Sequence, residues 1–257
     1  LLAAGMARGA AERGKKIAFG DGRRIIWDQN SESIFRGNPN VARPEERRRF
    51  DLEWIAHYKG HRAYNRQGTD RWHWNHDFRA TPGEVFLLPS EQNFGAIAAG
   101  HVVIEPSVPG FKTCAPNKQW PAVRYDDVAR LLMVEGYSVM QFHHLTTTHA
   151  IPGARQVVTK SFRQAIAALG HALLYIGAEG GMHHGAAAVN KPAVVLFGGF
   201  VPPAVTGYDT HTNLTGGAEY ACGSFRYCEH CIAAMKAISV EEVVTAALGH
   251  LRNGRHA

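Results

Sequence analysis

Three groups of residues in this sequence have types and spacings that could carry chemistry. The first is the glycine-rich turn Gly-Ala-Glu-Gly-Gly at 177–181, followed by Met182, His183 and His184. It sits between two short apolar runs, 173–176 and 193–197, and leads into a small-residue segment at 182–189 with the composition of a short helix. A helix that starts at such a turn leaves backbone N–H groups unpaired, and its dipole adds to their pull on an anion. Gly180 and Gly181 would let a diphosphate come close to the backbone, with the amides around Gly181, Met182 and His183 pointing at it. A turn that needs small residues only for packing has the same composition. The pattern is neither a GxGxxG nor a P-loop. Glu179 beside an anion would repel a phosphate, so it is expected to accept hydrogen bonds from ligand hydroxyls; its other reading is an N-cap. His183 and His184 are adjacent, so on a helix one faces the crevice and the other the scaffold. They lack the separation of four that a zinc hydrolase uses.

The second group lies at other predicted strand ends. Lys112, Lys118 and Trp120 follow the run His101–Glu105, Thr147 follows a strand at 138–142, and Ser161 and Arg163 open a helix after a strand at 156–158. A lysine there can neutralise a leaving diphosphate; a solvated basic loop is the alternative. Four strand ends converging on one edge of a parallel sheet are more informative than any one of them. The third group is Cys222, Cys228 and Cys231, with His230, His211 or Cys114 as a candidate fourth ligand. Three thiolates and a histidine suit tetrahedral zinc, and iron is compatible. The spacing matches no standard knuckle. No G-x-S-x-G elbow supports a serine hydrolase.

The elements that must position these residues are read from periodicity. From about residue 100 onward the chain alternates strand and helix, which predicts a parallel sheet covered by helices. An amphipathic helix is expected over 126–135, another over Phe162–His171, and a terminal one over 240–251, where Ser239 and Glu242 form a capping box. The earlier segment is a weaker unit, with a small-residue helix at 3–13 and strands at 16–19, 24–27, Leu52–Ala56 and 84–88. Residues 30–49 read as loop and 89–100 as a linker or crossover. Residues 58–79 are dense in Tyr, Trp, His and Arg without a clean period, which suits either an aromatic-anchored loop or an acceptor surface. The fold class is therefore α/β, with one lobe at 1–95 and a second at 96–257. An active site is expected between them.

The 257 residues carry a formal charge of +6 and four cysteines. The basic excess suits anionic partners such as nucleotides or lipid headgroups, but no nucleic-acid-binding module is visible. No run reaches the roughly 18 apolar residues of a membrane span. The first residues are apolar before they are basic, the wrong order for a secretory signal, so the cysteines are not expected to form a disulfide framework.

Residues 176–199 resemble the glycosyltransferase family that contains the ADP-heptose:lipopolysaccharide heptosyltransferases. The shared block is the glycine turn with its acid, Met182-His183, Ala186 to Ala188, Lys191-Pro192, and a strand ending Phe197-Gly198. Lys118-Gln119-Trp120-Pro121, and Cys231 followed by Ile238 to Val243, agree with it. The resemblance implies a GT-B architecture of two Rossmann-like lobes, here with a short or truncated first lobe. It implies an inverting glycosyltransferase that takes a sugar from a nucleotide-diphosphate donor such as ADP-heptose. The first lobe would bind the acceptor and the second the donor. Lys118 and His183 would be catalytic. Lys112, Trp120, Thr147, Ser161, Arg163, Glu179, Gly180, Gly181, Met182 and His183 would bind the donor. No metal is required for catalysis, and zinc or iron at the cysteines would be structural. The acceptor is open among a glycan, a lipid-linked glycan and a protein, with DNA less favoured. A cytoplasmic location is expected, including the inner face of a membrane. The oligomeric state is unread. The family's base, an Asp in a Gly-Asp pair, would fall before Leu1, and Glu179 replaces the family's shorter Asp. A nucleotide-binding protein that lost its base, and a nucleotide-sugar epimerase, are the competing readings.

Overall fold

The computed structural model describes residues 1–58, 60–108, 110, 114–145 and 147–253. The chain begins with helix α1 (Leu2–Glu12), strand β1 (Lys16–Gly20), helix α2 (Gln29–Phe35) and strand β2 (Leu52–Ala56). β1 and β2 pair in parallel, Lys16 opposite Leu52 through Gly20 opposite Ala56. Ala4, Ala7 and Ala10 of α1 pack with Ile17, Phe35, Val41 and Ile55 in a small core. Of the expected strand at 24–27, only an isolated bridge from Ile25 to Gly20 forms. Asp28 caps α2 by accepting the Ser31 amide at 2.8 Å, a signal inside a segment read as loop.

The aromatic stretch is a three-stranded antiparallel meander: β3 (His61–Arg62), β4 (Asn65–Gln67) and β5 (Trp72–Trp74). The expected strand at 84–88 is not among the described elements; the segment pairs with no strand of the described sheets. The chain then enters helix α3 (Pro89–Gly95) where a linker was expected. Pro89 opens the helix, and Glu91 reaches back to the Leu88 amide at 2.8 Å.

The larger unit is regular. It runs β6 (His101–Glu105), a 3₁₀ turn (Ala115–Lys118), α4 (Ala122–Val134), β7 (Ser138–His143), β8 (Arg155–Val158), α5 (Phe162–His171), β9 (Leu174–Ala178), α6 (Gly181–Ala188) and β10 (Ala193–Leu196). It continues with α7 (Pro203–Thr206), β11 (His211–Leu214), α8 (Glu229–Ala237) and α9 (Val240–Asn253). Six strands form one sheet in the order β11-β10-β9-β6-β7-β8, all pairs parallel. Alternation decides the faces. Val102, Ile104, Leu174, Ile176, Val194 and Leu196 enter the core beneath α4 and α9, while Val103, Met140, Tyr175 and Val195 enter the opposite core with α5 and α6. The α/β expectation holds, with a six-stranded parallel sheet covered by helices. No helix among the described residues is long and apolar enough to cross a membrane.

Candidate functional site

The order of the strands places the site. The chain leaves β6 toward β7 on one side and returns through α5 to β9 on the other. The carboxyl ends of β6 and β9 therefore flank a topological switch point, where open parallel sheets bind ligands. Glu105 ends β6 opposite Gly177 in β9, and Glu179 starts the turn into α6. A cavity of about 720 Å³ opens here, lined by Glu105, His144, Ser161, Phe162, Tyr175 and Met182 among others. A second, of about 880 Å³, lies between the meander and the large sheet and includes Arg62, Tyr64, Trp72, Trp74, Lys118 and His184. Glu179, Gly180 and Gly181 line both cavities, so the glycine turn is the wall between them.

Two glycines of that turn have different reasons to be glycine. A Cβ on Gly177 would stand 2.2 Å from the Tyr175 hydroxyl, so packing excludes a side chain. A Cβ on Gly180 would meet nothing within 4 Å, so packing makes no such demand and the space stays open to a ligand. The amides of Gly181, Met182 and His183 occupy the first turn of α6, where no intrahelical acceptor reaches them. Lys118 arrives from the loop after β6, and its Nζ pairs with the Glu179 carboxylate. The same ammonium stands 5.1 Å from the centroid of the Phe200 ring. Lysine, carboxylate and free amides thus meet at the start of one helix.

The two histidines divide as an adjacent pair on a helix must, with their roles exchanged relative to the sequence reading. His183 is the scaffold residue. It is fully buried; its Nδ1 accepts the Gly180 amide at 2.9 Å, which leaves Nε2 as the protonated nitrogen, and this donates to the Thr206 carbonyl at 3.0 Å. Burial holds its pKa below the ordinary histidine value. With both nitrogens engaged it has none to offer a substrate, and the catalytic role expected of it does not fit. His184 faces the second cavity. Its Nδ1 is 2.8 Å from the Tyr208 hydroxyl and its Nε2 3.9 Å from Glu179. Burial drives its pKa far down, so it is neutral near pH 7.

Other expected donor-binding residues sit elsewhere. Trp120 is fully buried, edge-on to Tyr125, with Nε1 donating to the Ile238 carbonyl at 3.1 Å; it is core beneath the sheet. Arg163 points away from the glycine turn. Its guanidinium donates to both Glu91 carboxylate oxygens at 2.7 and 2.8 Å, to the Ser33 carbonyl at 3.0 Å and to the Phe86 carbonyl, joining α5 to α2 and α3. Thr147 closes the turn after β7, its Oγ1 accepting the His144 amide at 3.0 Å. Ser161 lines the first cavity while capping α5 through the Gln164 amide at 3.2 Å. Lys112 lies outside the described residues. Sequence reasoning passed over Glu105 and His144, and of the adjacent pair His183 and His184 it gave the catalytic role to His183. The signal for Glu105 was a charged residue closing an otherwise apolar strand.

Cys222, Cys228 and Cys231 converge. The Cys222 sulfur is 2.9 Å from that of Cys231 and 3.5 Å from that of Cys228. Among the described residues the cluster stops at three metal-capable side chains. His230 instead stacks on Tyr220, and His211 bonds the Lys191 carbonyl. The cysteine loop is tied on both sides. Trp72 of the meander donates to the Gly223 carbonyl at 2.9 Å, and Asn117 binds the Arg226 carbonyl at 2.7 Å and the Cys228 amide at 2.9 Å. Asn117 immediately precedes Lys118, so this loop also braces the lysine.

Residues 92–231 match the family described as Glycosyltransferase family 9 (heptosyltransferase), a little over half of the chain. No curated protein matches the chain in sequence. Among solved structures, the chain is similar to the dodecameric iron-containing heptosyltransferase TibC of enterotoxigenic E. coli in complex with ADP-D-β-D-heptose. The identity is 16% over 95% of this chain and 79% of that one, with a TM-score of 0.61. It is similar to a glycosyltransferase family 9 protein from Veillonella parvula at 17% identity, covering 68% of this chain and 55% of that one, TM-score 0.52. It is also similar to E. coli ADP-heptose lipopolysaccharide heptosyltransferase II at 19% identity, 67% of this chain and 54% of that one, TM-score 0.50. The chain thus spans little more than half the length of the last two.

Proposed function

The chain belongs to glycosyltransferase family 9, and from that premise we propose that it is an inverting glycosyltransferase of GT-B architecture using a nucleotide-diphosphate sugar. One observation carries the reading: Lys118, Glu179 and the first-turn amides of α6 meet on a wall shared by two cavities. The lobe at 96–257 would hold the donor, its nucleoside in the first cavity and its diphosphate over the glycine turn. The lobe at 1–95 would present the acceptor through the second cavity. In a single displacement a base takes the proton of the acceptor hydroxyl and the oxygen attacks the anomeric carbon as the bond to the diphosphate breaks. Negative charge grows on the leaving phosphate. Lys118 and the amides of Gly181, Met182 and His183 stabilise it without having to reorganise. Glu179, holding Lys118 in the free protein, orients that ammonium and takes hydrogen bonds from donor-sugar hydroxyls.

ADP-heptose is the proposed donor, since TibC was solved with it and heptosyltransferase II uses it by name. The acceptor belongs to the glycan, lipid-linked glycan or protein classes, and the proposed place is the cytoplasm or the inner face of its membrane. Calorimetry with ADP, GDP and UDP tests the site. ADP is expected to bind and Lys118→Ala to weaken it about tenfold or more, the worth of a charge-assisted hydrogen bond; no binding by any of the three overturns the reading.

The cysteine cluster fits a soft or borderline cation, because three sulfurs converge within 4.8 Å of one another in a half-buried pocket. Cys222, Cys228 and Cys231 would hold zinc or iron, and TibC is iron-containing. Bound there, the ion would crosslink the loop that braces Asn117 and the meander, a structural role. Elemental analysis of protein purified without added metal is expected to give about one ion per chain, the stoichiometry of one site.

A further inference from the structure

Glu105 is a buried carboxyl that the mechanism above does not use. It is only 6% exposed, at the end of the central strand of the sheet. Oε1 accepts the Ser107 amide at 3.1 Å, while Oε2 has no hydrogen-bond partner among the described residues. The residue lines the first cavity, on the β6 side of the switch point, directly across from the glycine turn. Glu179, the other carboxyl of this edge, is satisfied by Lys118. A carboxyl buried with one oxygen unpaired is costly, and Ser107 offsets only part of the cost.

The surroundings of Glu105 decide its protonation. His144, after β7, has Nε2 3.8 Å from Oε2. Burial lowers the pKa of His144, so it is not the cation that would ionise a neighbouring acid near neutral pH. Tyr125 of α4 and Tyr175 of β9 are both buried and couple to Glu105; their phenols are pushed up and stay neutral. Glu179 and Lys118, across the crevice, cancel one another. Among the described residues packed against Glu105, only Ser107, through its amide and its hydroxyl, therefore stabilises its negative charge. Burial raises its pKa to about 7. An ionised carboxylate here would also repel a diphosphate lying over α6.

Resting on the donor site described above, we propose that Glu105 is a substrate-binding residue which, as the neutral acid, donates a hydrogen bond from Oε2 to a phosphate oxygen of the nucleotide donor. Acidic side chains at nucleotide crevices ordinarily accept hydrogen bonds from sugar hydroxyls. This one would act in the opposite sense, and it makes donor affinity depend on pH. Affinity is full while Glu105 is protonated and falls as pH rises through about 7.

The test uses ADP-ribose, a diphosphate diester whose phosphates carry constant charge near neutrality, titrated into the full chain from pH 6.5 to 8.5. The wild-type dissociation constant is expected to weaken about tenfold across this range. Glu105→Gln, which keeps a donor at every pH, is expected to bind as wild type does at pH 6.5 and to stay flat. Glu105→Ala is expected to be weak throughout. A second readout is thermal. Because the folded state holds this proton to a higher pH than the unfolded chain does, stability falls as pH rises from about 4.5 to 7, and Glu105→Gln should melt above wild type at pH 8 but not at pH 4. A flat wild-type profile, or an equal slope in Glu105→Gln, overturns the proposal while leaving the donor site standing. Failure of the wild-type chain to bind ADP-ribose or ADP at any pH overturns both.

Discussion

The large sheet and the N-terminal segment meet at one crevice but are held by different forces. From residue 101 onward, six parallel strands bury side chains from both faces, and period-two alternation sends Val102 and Ile104 one way and Val103 the other. That region is stabilised by apolar burial, which is non-directional and insensitive to pH. The N-terminal segment has two paired strands and a meander tied to the rest by directional polar bonds as well as by Trp72 and Trp74, which pack on the large unit's core. Arg163 grips Glu91 and the carbonyls of Ser33 and Phe86, Ala80 donates to the Val205 carbonyl, and Trp72 to that of Gly223. Directional contacts fix an angle between two bodies more sharply than apolar ones do. The large sheet is therefore the stable element, and the placement of the N-terminal segment depends in part on charge.

The difference can be broken most forcefully from the donor side. Trp120→Ala should cost about 4–5 kcal/mol of unfolding free energy, since it empties a large fully buried site and leaves the Ile238 carbonyl without its donor. Denaturant unfolding measures this. ADP affinity of the protein that remains folded should change less than about twofold, as expected of a residue away from the ligand. A loss of affinity without a loss of stability would return Trp120 to the donor site. The matching change at the join is Arg163→Met, expected to cost about 3 kcal/mol by taking the cation from the partly buried Glu91 and the donors from the Ser33 and Phe86 carbonyls. Its acid dependence has a definite sign. The hydrogen bond from Arg163 lowers the pKa of Glu91 below its ordinary 4.5. The stabilisation it gives is present above that value and is lost as pH falls through the lowered one. Wild type should therefore lose stability in acid more steeply than an Arg163→Met/Glu91→Gln double variant.

The same contrast explains what could be read from the sequence. Most strands of the large sheet announce themselves as apolar runs between turn residues, and His101–Glu105, Phe162–His171 and Leu52–Ala56 have the expected bounds, whereas the polar edge strand β11, His-Thr-Asn-Leu, was not expected. β3 and β4 have two and three residues, too few for alternation to register, and β5 alternates over Trp72, His73 and Trp74 alone; their placement is fixed by contacts of Asp70 and Trp72 with Phe225 and Gly223, far away in sequence. At the site, backbone geometry was legible and side-chain direction was not. The turn at 177–181 and the arrival of Lys118 follow from strand order. Whether His183 or His184 faces the crevice depends on the exact start of α6, and Arg163 turns toward Glu91 because a carboxylate there is closer to hand than a ligand phosphate.

His183 gives a smaller and more diagnostic change. His183→Ala removes partners from the Gly180 amide and the buried Thr206 carbonyl, at a cost of about 1–3 kcal/mol. Freed, the Gly180 amide can turn toward the ligand or loosen the turn, so both stability and ADP affinity should move together. His184→Ala should leave ADP affinity near wild type and act on turnover alone, because it faces the second cavity. If the two variants behave alike, the glycine turn is not a wall between separate donor and acceptor spaces.

The smallest expected effect tests the mouth of the first cavity. Val158 ends β8, lines that cavity, and is 61% exposed. Nothing in the fold needs it there, so Val158→Ser should leave unfolding free energy within about 0.5 kcal/mol of wild type, as for surface positions generally. A nucleobase lying against β8 would cover it. Covering most of a valine side chain is worth about 1 kcal/mol, which corresponds to a loss of roughly fivefold in ADP affinity on substitution. AMP and adenosine should show the same ratio, since the contact is to the base, whereas Lys118→Ala should weaken ADP far more than adenosine. Unchanged ADP affinity in Val158→Ser would move the base away from β8 and toward Phe162 and Met182, the apolar side chains on the other rim of the same cavity.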